Sequence, residues 1–113
     1  MKRDFKIYVH DILEAIRRID EYLKELTFEE FSKDNKTADA IIRNFAVIGE
    51  AVKNIPIDVK KKHNEIPWKR MSGMRDKLIH EYFGVDLQIL WDTAKMDLPS
   101  SKPLLEKLLT NDN

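Results

Sequence analysis

The chain has 113 residues, 42% of them hydrophobic and 35% charged, and no cysteine. That size suits one helical domain over residues 1–113 with a packed core, and the composition excludes disulfides, cysteine-ligated zinc and thiol catalysis. Twenty basic and twenty acidic side chains leave no net charge, so the overall balance selects no polyanionic partner.

Three Gly and four Pro are too few for a turn-rich β-sandwich or barrel. No apolar run nears the ~20 residues of a membrane span, and the start MKRDFKIYVHD has no apolar signal core. A cytoplasmic protein with no membrane partner is the expectation.

In chain order, Phe5, Val9, Ile12, Ile16, Ile19, Leu23 and Leu26 recur at alternating spacings of four and three. This stripe predicts a long first helix from about Lys2 to Leu26. Thr27, with Glu30 three positions on, has the form of a capping box for a short turn anchored by Phe28 and Phe31. A second long helix is expected from Asn35 or Thr37, with Ala38, Ile41, Ile42, Phe45, Ile48, Val52 and Ile55 as its apolar face. Gly49 lies inside it, which suggests close approach of another backbone. Pro56 stops it by pushing Ile55 out of the helical region.

Residues 56–66 read as a short helix and a loop. Pro67 suits the first turn of the next helix, expected over Pro67–Tyr82 and ending at Gly84. Asp86 caps a further helix burying Leu87, Leu90, Trp91 and Ala94, and Pro99 is expected to end it. Leu104, Leu105, Leu108 and Leu109 mark a short last helix, and the tail should fray. No period-two alternation is long enough for a strand. The fold class is therefore all-α, an up-and-down antiparallel four-helix bundle with additional short helices.

Charge is unevenly placed. Residues 53–80 carry eight Lys or Arg against three acids. Such a block can guide a phosphate-bearing ligand; a solvated helix end at Lys60–Lys62 explains part of it equally well. Within it, Lys69, Arg70 and Lys77 are candidate contacts to such a ligand.

The helix over Trp68–Tyr82 carries most of the chemistry. On a helical wheel Trp68, Met71, Met74, Leu78 and Ile79 share one face, and Arg75 falls inside that face. A guanidinium cannot shed its proton, so it needs a partner there: an acid such as Glu50, a phosphate, or another subunit. A purely structural Arg–Glu pair is the alternative. His80 falls off the apolar face, with Asp76 one turn before it as a neighbour able to orient and charge the ring; a surface His beside a helix-stabilising Asp is the alternative. Gly73 leaves the surface before His80 bare. Arg75 and His80 lie about 140° apart on an ideal helix, so a groove built from two copies of this helix is the natural way to bring Arg and His to one ligand. That pairing suits RNA cleavage: His can move the 2′-hydroxyl and leaving-oxygen protons, and Arg can hold the phosphate, without a metal or other cofactor. His10 and His63 have no metal-ligand spacing, and no phosphate-cradling glycine loop is present. Trp68 and Trp91 suit the core, as Tyr82 would at its edge.

The segment Arg75-Asp76-Lys77-Leu78-Ile79-His80-Glu81-Tyr82 resembles the R-x-x-x-x-H-x-Y signature of HepT-like toxins, a branch of the HEPN superfamily. His10-Asp11-Ile12, Asp39-Ala40, Ile48-Gly49-Glu50-Ala51, Ile66-Pro67-Trp68 and Trp91 followed by Asp97-Leu98-Pro99 fit the same family in order, over nearly the whole chain. The resemblance implies a homodimeric HEPN-like bundle whose signature helices meet at a cleft. It implies a metal-independent RNA endonuclease acting as the toxin of a type VII toxin–antitoxin system. The antitoxin partner would be a cognate minimal nucleotidyltransferase that transfers AMP from ATP onto Tyr82. By the same resemblance Arg75 and His80 are catalytic, and Asp76 supports them where many members carry Asn. The rival reading is a non-catalytic nucleotide- or protein-binding partner of a nucleotidyltransferase.

Overall fold

In the computed structural model, residues 4–73 and 86–111 are described, and among them the backbone is helical with no strand. The expected all-α class holds. α1 spans Phe5–Leu23, α2 Phe28–Ser32, α3 Asn35–Asn54 and α4 Ile57–Lys62. A fifth helix, α5, starts at 68 and is described as far as 73. The C-terminal run is α6 (Leu87–Asp92), a π-helical turn (Thr93–Asp97) and α7 (Leu98–Asn111).

The first helix is shorter than its apolar stripe. Asp4 is extended and its side chain accepts from the Lys6 N–H at 2.9 Å, so the helix begins at Phe5 rather than Lys2. At the other end the α2 cap prevails. Thr27 is extended, its hydroxyl accepts from the Glu30 N–H at 3.1 Å, and the Glu30 carboxylate accepts from the Thr27 N–H at 2.9 Å. This reciprocal box satisfies two donors at the start of α2 and holds Thr27 outside any helix, so α1 closes at Leu23 rather than Leu26.

α3 begins where expected. Asp34 accepts from the Thr37 N–H at 3.0 Å and from its hydroxyl at 2.6 Å. Ile55 at its end is extended, as the residue before a proline must be. Ala38, Ile41, Phe45, Ile48 and Val52 are buried, and so is Gly49.

Pro99 does not end its helix, contrary to expectation. The π turn comes just before it, with the Leu98 N–H bonded to the Thr93 carbonyl five residues back. Proline has no N–H and its ring collides with the carbonyl four residues earlier. A widened turn ahead of it, with Pro99 in the first turn of α7, accommodates both. The Ser100 and Ser101 hydroxyls each donate to the Asp97 carbonyl at 2.9 Å in the same stretch. The last helix is consequently 14 residues long rather than a short piece.

α1 is the central element, packed against α3 on one side and against the π turn and α7 on another, while α2 packs on α3 and α6. Tyr8 and Asp11 near the start of α1 share a cleft with Val47–Asn54 near the end of α3, so these two helices run antiparallel. Val9, Ile12, Ile19, Ile41, Phe45, Ile48, Leu105 and Leu108 are sealed from solvent in one apolar cluster. Each such side chain contributes about 1.5–3 kcal/mol by leaving water. Phe31 and Phe28 pack on Trp91 with ring centroids 5.4 and 5.9 Å away, joining α2 to α6.

Candidate functional site

Arg75, Asp76, Lys77, His80 and Tyr82 lie outside the described residues, and so does the expected C-cap Gly84. The approach to them is described. Ile66 is buried, Pro67 precedes the helix, and the Trp68 indole N–H donates to the His63 carbonyl at 3.0 Å. The Trp68 N–H reaches the Ile66 carbonyl at 2.8 Å, and the Ile66 N–H reaches the His63 carbonyl at 3.2 Å. These bonds tie the end of α4 to the first turn of α5.

The wheel holds over the described turn. Trp68 and Met71 are buried at 8% and 5% exposure, while Lys69, Arg70 and Gly73 face solvent. Lys69 and Arg70 are thus on the solvent-facing side of the start of α5. Arg70 is partly engaged, with Nη1 3.5 Å from a carboxylate oxygen of Asp97 in the π turn. A Cβ added at Gly73 would meet no described atom within 4 Å, in keeping with a bare surface at that position.

Glu50 is exposed on α3 and lines a cleft of about 320 Å³ with Tyr8, Asp11, Val47, Ala51 and Asn54. It stands on the outer side of the α1–α3 pair, next to the buried Gly49 and Ala51. Its expected partner Arg75 is not among the described residues.

Sequence reasoning passed over a second feature on the same side. A groove of about 640 Å³ runs between α1 and α3, lined by Asp11, Glu14, Ala15, Arg18, Tyr22, Asp39, Ala40, Arg43, Asn44 and Val47. Its signal is present in the chain as a stripe of charged, polar and small residues beside each apolar one: 11, 14, 15, 18 and 22 on α1, and 39, 40, 43, 44 and 47 on α3, where it ends on Val47. Three hydrogen bonds, two from Arg17 and one from Arg18, hold the Glu14 carboxyl down from its ordinary 4.5 to about 2. Glu14 is therefore already neutralised by Arg17 at 2.7 Å and Arg18 at 3.2 Å. Asn44, buried at 8%, donates to the Ala40 carbonyl within its own helix. Three segments that carried the resemblance, Asp11, Asp39-Ala40 and Glu50-Ala51, meet on this one side of the α1–α3 pair. The other histidines stand apart: His10 is exposed on α1, and His63 is half-buried with Nδ1 3.9 Å from Glu65.

Comparison with known proteins points one way. The family model described as "HepT-like: Ribonuclease HepT-like" matches residues 12–108. A protein of Thermococcus cleftensis named "Probable ribonuclease HepT" is 56% identical over 108 residues, covering 96% of this chain and 98% of that protein. A "Gamma-glutamylcyclotransferase and putative RNase" of Methanocaldococcus jannaschii is 45% identical over 109 residues, covering 96% of this chain and 49% of that longer protein. A "Putative RNase" of Caldanaerobacter subterraneus is 42% identical over 102 residues, covering 90% of this chain and 91% of its own. No solved structure matches the chain significantly.

Proposed function

The chain belongs to the HepT-like ribonuclease family, and from that premise we propose that it is an RNA endonuclease that works without a metal ion, as the toxin of a toxin–antitoxin pair. The observation that carries the reading is the extent of the match: residues 12–108 include the whole Arg75–Tyr82 signature together with the α3 segment that places Glu50. The all-α fold is of the HEPN type, and its long α1 and α3 frame the side from which Glu50 projects.

In this reading two copies associate so that Arg75 and His80 of both face one cleft. His80 accepts the proton of a ribose 2′-hydroxyl, and the 2′-oxygen attacks the adjacent phosphorus. The bond from phosphorus to the 5′-oxygen breaks, that oxygen takes up a proton, and a 2′,3′-cyclic phosphate remains. A histidine suits both transfers because its ordinary pKa of ~6.5 leaves both protonation forms populated near neutrality. Arg75 holds the phosphate as negative charge accumulates on its oxygens. Asp76, one turn before His80, orients the imidazole, and Glu50 supports Arg75. The partner is a nucleotidyltransferase that places AMP on Tyr82.

The test is cleavage of RNA by the purified, unmodified protein in EDTA. The wild type should leave 2′,3′-cyclic phosphate or its hydrolysis product, and His80→Ala and Arg75→Ala should each slow cleavage by about 10²-fold or more. Equal cleavage by wild type and His80→Ala would reject the assignment. Light scattering that shows only monomer at micromolar concentration would remove the two-copy cleft.

A further inference from the structure

The corner where α4 meets α5 carries a concentration of positive charge that the cleavage chemistry does not use. The last turn of α4 is Lys60, Lys61 and Lys62, and Lys69 opens α5 just after Trp68. α4 has no fully buried residue, and of its side chains it is Val59 that packs against the core, which leaves the lysine turn without a core role. The Trp68 indole bond to the His63 carbonyl at 3.0 Å closes this corner, tying the residue that follows the lysine turn to the residue that precedes Lys69.

Lys60, Lys61 and Lys69 have no ion pair among the described residues, in contrast to Arg17, Arg18 and Lys33, which are each paired with an acid three or four residues away. Lys60 is also half-buried, and desolvation pushes its ammonium below the ordinary lysine value with no carboxylate to oppose the shift. Interaction with the negative end of α4 does not account for three consecutive lysines, because a helix terminus carries only about half a charge. The groove between α1 and α3 has a different character: Asp11, Glu14 and Asp39 line it together with Arg18 and Arg43, and Glu14 is already paired, so its charge is mixed rather than basic.

We infer that the α4–α5 corner, through Lys60, Lys61 and Lys69, docks the phosphodiester backbone of single-stranded RNA outside the cleaving cleft. The inference rests on the ribonuclease reading for the identity of the polyanion. Each lysine neutralises a phosphate and releases condensed counterions, so binding is insensitive to base sequence and strongly dependent on salt. Docking here would hold the strand while Arg75 and His80, a few residues further along the same segment, act on one phosphodiester.

The experiment measures binding of a fluorescent 2′-O-methyl RNA oligonucleotide by anisotropy across a salt series. That probe has no free 2′-hydroxyl and cannot be cleaved by the proposed chemistry, so binding is read apart from catalysis. The triple variant Lys60→Gln/Lys61→Gln/Lys69→Gln is compared with wild type and with Lys24→Gln/Lys102→Gln/Lys107→Gln, which removes equal charge elsewhere. Circular dichroism confirms that all three are folded. The corner variant should bind at least about tenfold more weakly at 0.1 M salt, and the slope of log affinity against log salt should shrink by about two, at ~0.7 per lost phosphate contact on a single strand. On cleavable RNA its KM should rise while kcat stays at the wild-type value. Wild-type affinity in the corner variant, or equal weakening in both triple variants, would overturn the inference. Unchanged RNA affinity with lost binding to the nucleotidyltransferase would also overturn it, by making the corner a protein interface. Wild-type protein that binds RNA through this corner but does not cleave it would leave the docking surface standing and remove the enzyme reading.

Discussion

The Lys95 ammonium donates to the backbone carbonyl of Leu23 at 3.1 Å, across 72 residues of sequence. Leu23 is the last residue of α1, where the helix dipole is negative, and its carbonyl also accepts from the Leu26 N–H at 3.1 Å. α1 has no basic residue in its own last turn; the cation comes instead from the π turn. Lys95 also lies 4.9 Å from the centroid of the Trp91 ring, which packs on Phe28 and Phe31. One side chain thus joins the end of α1, the α2 turn and the C-terminal run.

Replacing Lys95 with Met keeps most of the aliphatic stem and removes the charge. The loss should be about 1 kcal/mol, combining the hydrogen bond, the dipole interaction and the ring contact. For a domain of this size that lowers the melting temperature by roughly 4 °C. Lys95→Arg should retain more of the stability than Lys95→Met. Identical melting curves for wild type and Lys95→Met would show that the contact contributes nothing.

Trp68→Phe retains an aromatic ring in the core but removes the indole N–H together with part of the buried bicyclic ring. The His63 carbonyl then loses that partner, and stability should fall by about 1 kcal/mol for the hydrogen bond and further for the void left behind. Amide hydrogen exchange gives a sharper reading: protection in residues 63–71 should fall more than protection in α1 or α3. A uniform decrease across all helices would mean that the bond does not lock the corner.

Acid should weaken the fold in a defined interval. The Glu14 carboxyl is held at about 2 by Arg17 and Arg18, and Asp34 is held low by the Thr37 hydroxyl and N–H. A group whose folded pKa is depressed contributes stability above its unfolded value and loses it as pH falls toward the folded one. The contribution is therefore present above about pH 5 and disappears between about pH 5 and pH 2. Glu14 is exposed, so salt screens its part. Thermal melts of Glu14→Gln should show a shallower decline over that interval than wild type, with the difference reduced in high salt. Parallel declines would place the acid sensitivity elsewhere.

Tyr82 is the proposed acceptor of AMP. Co-expression with the cognate nucleotidyltransferase should add one or more AMP units, located on Tyr82 by peptide mapping. Tyr82→Phe should remain toxic but escape silencing by the partner's enzymatic activity. Tyr22, 41% exposed on α1, and Tyr8 are internal comparisons. Modification of either, with Tyr82 untouched, would show that the signature tyrosine has been misassigned.

The local grammar of this chain was legible without a structure. The apolar stripes of α1 and α3, the Thr27–Glu30 box, the Ile55–Pro56 stop and the Asp86 cap each depend on residues within about four positions, the range over which helix periodicity and capping operate. The same holds for the solvent-facing side of α5 at Lys69 and Arg70. Other features depended on distant partners. The boundary of α1 was settled by competition with the α2 cap, and the passage of the C-terminal helix through Pro99 by a π turn that local propensity does not foresee. The reach of Lys95 to Leu23, the closure of the α4–α5 corner by Trp68, and the gathering of Asp11, Asp39 and Glu50 on one side of two antiparallel helices arise only when the elements pack. The physical reason is that helix propensity and capping act along the chain, whereas a cation finds a carbonyl, or a polar stripe becomes a groove, only after burial of the apolar stripes has set the rotation of each helix against its neighbour.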